Sequence, residues 1–422
     1  MTNLSPSAVD PVNGFVPAAR RFLSVLGPGL VVMLADTDVG SIVTAGQSGV
    51  AWGYRLLLLQ LLLIPILYVV QELTVRLGVF TGRGHGELIR ETFGPRWAWF
   101  SASGLGIATA GALLTEFSGV AGIGELYGLP RDLTLPIAAA ALLAVVLTGS
   151  YRRVERAAIA VGLFECAFFL VAWAAHPRIP ALLAGMVDLP LRNKAYAYLV
   201  AANIGAVIMP WMIFYQQSAI ADKRLRPEHY AAARWDTAAG AVITQLVMAA
   251  VLIACAATIG RRTPNAALDT VGQMAQALTP FLGTTLGDAV FGAGVLGAGM
   301  VAAIVVSLAF AWGLGEVAGY RRSLEYRPLE ARWFYGVYAA CVVGGALFVW
   351  AWPDLVALNV GVQVMNALLL PVVMGFLIAL ARRALPRERR LAGTYYVLVL
   401  AVAGITCLLG VFGGFSGAGL FG

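Results

Sequence analysis

Apolar runs of roughly 20 residues recur eleven times along this chain, and that recurrence limits its fold more than any other feature. The runs fall at about 23–46, 55–80, 97–126, 133–150, 155–175, 195–217, 235–260, 287–318, 332–351, 355–381 and 392–414. Each is long enough to cross a bilayer as a helix. Hydrocarbon offers backbone groups no water, so the expected class is an all-α polytopic membrane protein. With 60% hydrophobic and 12% charged residues and a mean hydropathy of +0.81, no sequence is left over for a soluble domain. Residues 1–20 lack the apolar core and cleavage site of a signal peptide and are expected as a short cytoplasmic tail.

A formal charge of +7 could point to nucleic acid, but the basic residues cluster between the spans. With the N-terminus inside, 22 of the 29 Lys and Arg fall on the cytoplasmic side, including Arg152, Arg153 and Arg156 and the run from Arg382 to Arg390. That bias orients a multi-pass protein of the inner (plasma) membrane, with the odd span count placing the C-terminus outside. The four cysteines, Cys166, Cys255, Cys341 and Cys407, all lie within spans and form no C-x-x-C pair, so neither a disulfide framework nor a zinc site is expected.

Two spans are interrupted. The first carries Asp36 and Asp38 between the apolar runs LVVMLA and IVTA, followed by Gly40 and Ser41, which weaken a helix locally. Ionisable groups at that depth mark a functional site, and a helix broken at mid-membrane frees carbonyls that can join carboxylates around a cation. The plainer alternative is that Asp38 only caps the second half-helix. In the sixth span Met209 and Pro210 sit mid-run, and proline should open the helix and free carbonyls near Ala206 and Val207. Matching breaks five spans apart point to an inverted repeat with a midplane site between its halves. A thioether there favours transition metals, whereas a second carboxylate favours harder ions.

The segments GPGLVVMLADTDVGS, QELTVRLGVFTG at 71–82 and IGAVIMP at 204–210 resemble the natural-resistance-associated macrophage protein (Nramp) family of divalent metal transporters. The resemblance implies a LeuT-type fold of two inverted five-helix repeats with helices 1 and 6 broken. Here these fall at 21–180 and 190–383, with 384–422 holding an eleventh helix. It also implies metal import coupled to protons. The family's D-P-G-N falls on Asp38, Val39, Gly40 and Ser41, and its M-P-H on Met209, Pro210 and Trp211. The implied ligands are Asp38, the Ala206 carbonyl and Met209, with Gln363 completing the shell on closure and Asn366 close by. Glu116 matches an acid on the family's proton route, and Arg332 an arginine that can pair with it.

The departures from the family pattern bear on mechanism. Ser41 replaces an asparagine, Val39 a proline, Leu113 a second acid and Trp211 a histidine, while Asp36 is an added carboxylate that could share the metal or hold a proton. His85, His176 and His229 lie near span ends and are expected as surface or loop residues, and Glu165 as an interhelical hydrogen-bonding group. No Walker A, H-E-x-x-H or G-x-S-x-G motif is present, which argues against an enzyme or an ATP-driven pump. The expected function is secondary transport of manganese or iron by alternating access, with proton coupling weak or absent. Metal ligands are Asp38, Ser41, Ala206, Met209, Asp36 and Gln363. The functional unit is a monomer in the lipid bilayer with no cofactor and no nucleic-acid partner. The alternatives are a carrier of magnesium or calcium, or of a small organic solute, on the same fold.

Overall fold

The computed structural model describes residues 27–262, 268, 271–275, 283–352 and 359–417, so the expected tail at 1–20 lies outside the described residues. So do the first residues of the expected first and tenth spans. Among the described residues every regular element is helical, as a chain without water for its backbone requires. The first described elements are a bent pair, α1 (Pro28–Asp36) and α2 (Val39–Trp52), whose axes differ by 48°. Then come α3 (Leu57–Thr81), a short α4 (His85–Phe93), α5 (Pro95–Leu126) and α6 (Arg131–Val146). The fifth span is itself interrupted: α7 (Tyr151–Gly162) passes through a 3₁₀ turn (Leu163–Cys166) into α8 (Ala167–Ala174).

A connecting α9 (Ile179–Val187) leads to the second broken span, α10 (Lys194–Val207) and α11 (Pro210–Asp222). It is followed by α12 (Tyr230–Ala257), α13 (Thr284–Ala318), α14 (Arg332–Ala351), α15 (Asn359–Arg383) and α16 (Gly393–Gly417). Among the described residues nine long helices are apolar enough to cross a membrane, and the bent pair makes a tenth. The 16-residue α6, about 24 Å long at the helical rise, stands where the fourth span was expected.

The broken spans lie at the centre. α1 and α2 pack against α12, α10 against α15 and α16, and α11 and α5 against α13. Outer helices turn apolar side chains outward, among them Trp173, Trp333, Leu408 and Phe412, as a lipid-facing surface demands. Small residues set the closest approaches. A Cβ on Gly205 would lie 1.9 Å from the backbone oxygen of Gln363, and one on Gly49 would lie 2.3 Å from that of Leu252.

Several buried acids tie helices together. Glu72 of α3 meets Arg76 at 2.9 Å and accepts from Tyr395 of α16 at 2.8 Å. Glu316 of α13 accepts from the Gly86 N–H of α4 at 2.8 Å and from Ser218 of α11 at 2.6 Å. Asp236 of α12 accepts from the backbone N–H groups of Gly27 and Gly29, at 3.2 and 2.9 Å. A carboxylate at the positive end of α1 satisfies donors the helix leaves open, with Pro28 in the first turn where no N–H is needed.

Candidate functional site

The first break occupies two residues. Thr37 (φ −77°, ψ 47°) ends α1, and Asp38 is extended (φ −71°, ψ 169°) at the head of α2. Asp38 Oδ1 accepts the Ser41 N–H at 2.6 Å, so this carboxylate does cap its half-helix. Its other oxygen, Oδ2, is buried with no hydrogen-bond partner. Glu116 of α5 reaches the same helix end, where its Oε2 accepts the Val39 N–H at 3.2 Å and its Oε1 accepts from Thr115 at 2.9 Å. Two carboxylates therefore converge on the positive end of α2.

The second break follows from one proline. In a continuous helix the Ala206 carbonyl would accept from residue 210, but Pro210 has no N–H to give. The helix stops at Val207, Met209 turns extended (φ −101°, ψ 144°), and α11 starts with Pro210 in its first turn. The released Ala206 oxygen accepts instead from the Ser41 hydroxyl at 2.9 Å. Met209 is fully buried beside it in sequence.

Gln363 of α15 completes the enclosure. Its amide nitrogen rests against Gly40, where a Cβ would lie 2.1 Å from it, and it has no hydrogen-bond partner. Its Oε1 accepts from Asn366 at 3.0 Å, so the amide must turn over to offer oxygen to the break. Asp38, Ser41, Ala206, Met209 and Gln363 are all 2% exposed or less, so the site is closed from both membrane faces. Among the described residues no three His, Cys, Asp or Glu side chains converge. Any ion held here would be held by mixed donors.

Other expected residues lie elsewhere. Asp36 leaves the Asp38 cluster and engages α12, where Gln245 donates to its Oδ2 at 3.3 Å. Arg332 does not pair with Glu116. It is exposed at the start of α14 and donates to the Leu329 carbonyl at 3.2 Å, whereas Glu116 is fully buried at the break. Glu165 was expected to hydrogen-bond a neighbouring helix, but neither of its buried oxygens has such a partner. His85 is buried rather than on the surface: its Nδ1 lies 2.9 Å from Gln217 Oε1, and its ring stands edge-on to Phe214. Burial pushes its pKa down to about 4. Trp211 is fully buried and presents no open face for stacking. The Asp236 cap on α1 was missed by sequence reasoning because its partners lie more than 200 residues away.

Comparison with known proteins places this geometry. The family model described as natural resistance-associated macrophage protein-like matches residues 29–416. The divalent metal cation transporter MntH of Aeromonas hydrophila is 31% identical over 310 residues, covering 70% of this chain and 74% of its own. MntH of Yersinia enterocolitica is 30% identical over 302 residues, covering 69% and 72%. A crystal structure of the Eremococcus coleocola manganese transporter superposes with a TM-score of 0.77 at 19% identity, covering 98% of this chain and 90% of that one. A Na+-coupled sialic acid symporter shares the architecture more distantly, with a TM-score of 0.62 at 13% identity, covering 97% and 90%. At these identities the structural matches speak for the fold alone.

Proposed function

The chain belongs to the natural resistance-associated macrophage protein-like family of membrane transporters, and from that premise we propose that it carries manganese or iron by alternating access. One observation carries this reading. Asp38 keeps a fully buried, unpartnered oxygen at one break, and the residue it caps, Ser41, bonds the released Ala206 carbonyl of the other. An anionic oxygen, a carbonyl oxygen and the Met209 thioether form a mixed hard and soft shell, which suits manganese or iron better than magnesium. Ser41 and a turned Gln363 amide supply further oxygens.

Movement follows from the same parts. Each break is a hinge between half-helices, so α1 and α11 can swing without the outer helices unfolding. At one end of the bundle α1 is held by Asp236, and at the other Arg55 pairs with Asp188 at 2.6 Å while Gln60, Asn203 and Ser48 are bonded in a chain. Releasing one set while keeping the other opens the site to one side at a time. The repeats at 21–180 and 190–383, the inner-membrane location, the cytoplasmic N-terminus and the monomeric unit belong to this reading.

Proton coupling is weak or absent in it. Leu113 and Trp211 stand where an acid and a histidine would serve a relay, and Arg332 lies away from Glu116. A divalent ion gains about 2.3 kcal/mol per charge per 100 mV, so an inward-negative potential suffices for import. The test is manganese uptake into proteoliposomes containing a trapped pH dye. Potential-driven uptake with a flat dye signal is the expected result, and absence of uptake of any divalent ion overturns the reading. A second reading, magnesium or calcium as cargo, is favoured by the added carboxylate of Asp36, two residues before Asp38 in the chain. Competition of manganese uptake by each ion separates the two.

A further inference from the structure

Beside the candidate metal site, α1, the 3₁₀ turn of the fifth span and α12 carry a second set of buried polar side chains. They are Asp36, Glu165, Gln245, Thr37 and Thr244, all of them 1% exposed or less. Thr37 and Thr244 share a hydrogen bond of 2.6 Å between their hydroxyls, and Gln245 donates to Asp36 Oδ2. The remaining acceptors are unspent: Asp36 Oδ1, both oxygens of Glu165 and Gln245 Oε1 are buried without hydrogen-bond partners. Gly162, three residues before Glu165, packs on Leu34 of α1, where a Cβ would lie 2.9 Å from that side chain, so the fifth span lies against α1 close to its break.

Asp38 and Glu116 meet at the head of α2, Asp36 lies two residues before Asp38 in the chain, and Glu165 is carried by the neighbouring fifth span. Among the described residues no Lys or Arg forms an ion pair with any of them. A divalent ion at Asp38 offsets two negative charges and leaves two more in a medium where an uncompensated charge costs several kcal/mol. The unspent acceptors of this cluster are all oxygens, with no sulfur or imidazole among them, and that donor chemistry selects a hard cation. Among the described residues no third His, Cys, Asp or Glu joins the two acids in a metal-holding group, a charge count low for a second divalent ion. The mid-span 3₁₀ turn that carries Glu165 is the kind of irregularity that accompanies functional sites.

We propose that Asp36, Glu165 and Gln245 form a second cation site that takes one sodium ion, distinct from the metal site at Asp38. The ion rests on oxygen from three elements, α1, the fifth span and α12, and so favours the arrangement in which they are packed together. Sodium binding and metal binding are then linked: each cation screens the acids that the other must face, and each raises the other's affinity.

The test is direct binding of radioactive sodium to the full-length protein in lipid nanodiscs, without any divalent metal. Saturable binding displaced by unlabelled sodium but not by choline is expected, weakened at least about tenfold by Glu165→Gln and by Gln245→Leu. Manganese binding by calorimetry is expected to persist in Glu165→Gln but to lose its sodium dependence, which also shows that the variant is folded. Absence of saturable sodium binding in the wild type overturns the proposal, as does sodium binding that both variants leave unchanged. So does a second manganese ion displacing sodium from this site, or metal binding that responds to pH alone. Manganese uptake by a protein that binds no sodium would overturn this site and leave the metal-transport reading standing.

Discussion

Ser41 donates its hydroxyl to the carbonyl oxygen of Ala206 across 2.9 Å, joining the two helix breaks through residues 165 positions apart in the chain. Two candidate ligands are thus engaged with each other when no ion lies between them. A metal entering the site replaces a neutral hydrogen bond worth about 1 kcal/mol by charge–dipole contacts, a small cost of entry. Asp38 is in a different position, because its Oδ2 has nothing to give up.

That difference makes the first prediction. Asp38→Asn keeps a capping side chain at the head of α2, so the fold is expected to hold, while the charge facing the ion is lost. Metal affinity measured by calorimetry should fall by more than about tenfold, whereas Ser41→Ala, which frees the Ala206 oxygen, should change it by less than about fivefold. Equal losses in the two variants would contradict this division of roles.

Selectivity should follow the sulfur. Met209 is fully buried at the second break, and Met209→Ala removes a soft donor without changing charge. Uptake of manganese, iron and cadmium is expected to weaken while competition by calcium and magnesium grows. A uniform decline for every ion would assign the side chain to packing.

Gly40 and Gln363 should behave as a coupled pair. A Cβ at position 40 would sit 2.1 Å from the Gln363 amide nitrogen, closer than atoms tolerate, so Gly40→Ala is expected to drive the amide away and reduce uptake severalfold. In Gly40→Ala combined with Gln363→Ala the loss should be less than the sum of the single losses. Strict additivity would show that the two do not meet in the working protein.

His85 gives a pH dependence of stability. Its pKa is lowered to about 4 by burial, from an ordinary value near 6.5. Above pH 6.5 both folded and unfolded forms are neutral there, and the native state keeps its full stability. As pH falls from 6.5 to 4 the unfolded chain takes up a proton that the folded one refuses, and stability drops by up to about 3 kcal/mol before levelling off. The difference in thermal midpoint between wild type and His85→Asn should therefore change across that window and stay constant above it. A constant difference from pH 8 to 4 would place a charged imidazole in the fold.

The breaks were legible because their cause is local. A proline four residues after Ala206 removes that carbonyl's donor wherever the helix sits, and two acids with a glycine inside an apolar run announce themselves without tertiary information. Pairings between distant helices were not legible. The family resemblance paired Arg332 with Glu116, but one is exposed and the other fully buried, and Asp36 turns to α12 although it stands two residues from Asp38. His85 resembled a loop residue because it follows a glycine between spans. Its burial comes from α11, whose Gln217 and Phe214 close over it. Residue type told which groups were costly to bury, and only packing told which had been left uncompensated.

The two interrupted spans also fix how an ion senses this protein from a distance. α2 and α11 each begin at the breaks, and α1 and α10 each end there, so two partial positive poles and two partial negative poles meet within one small volume. Such an arrangement has almost no net dipole, and its field dies away within a few ångströms. The carboxylates of Asp38 and Glu116 both occupy the positive pole of α2, while the carbonyl of Ala206 lies at the negative pole of α10. The helix ends therefore do little to sort ions at a distance, and identity is read only when the hydration shell is exchanged for these few atoms.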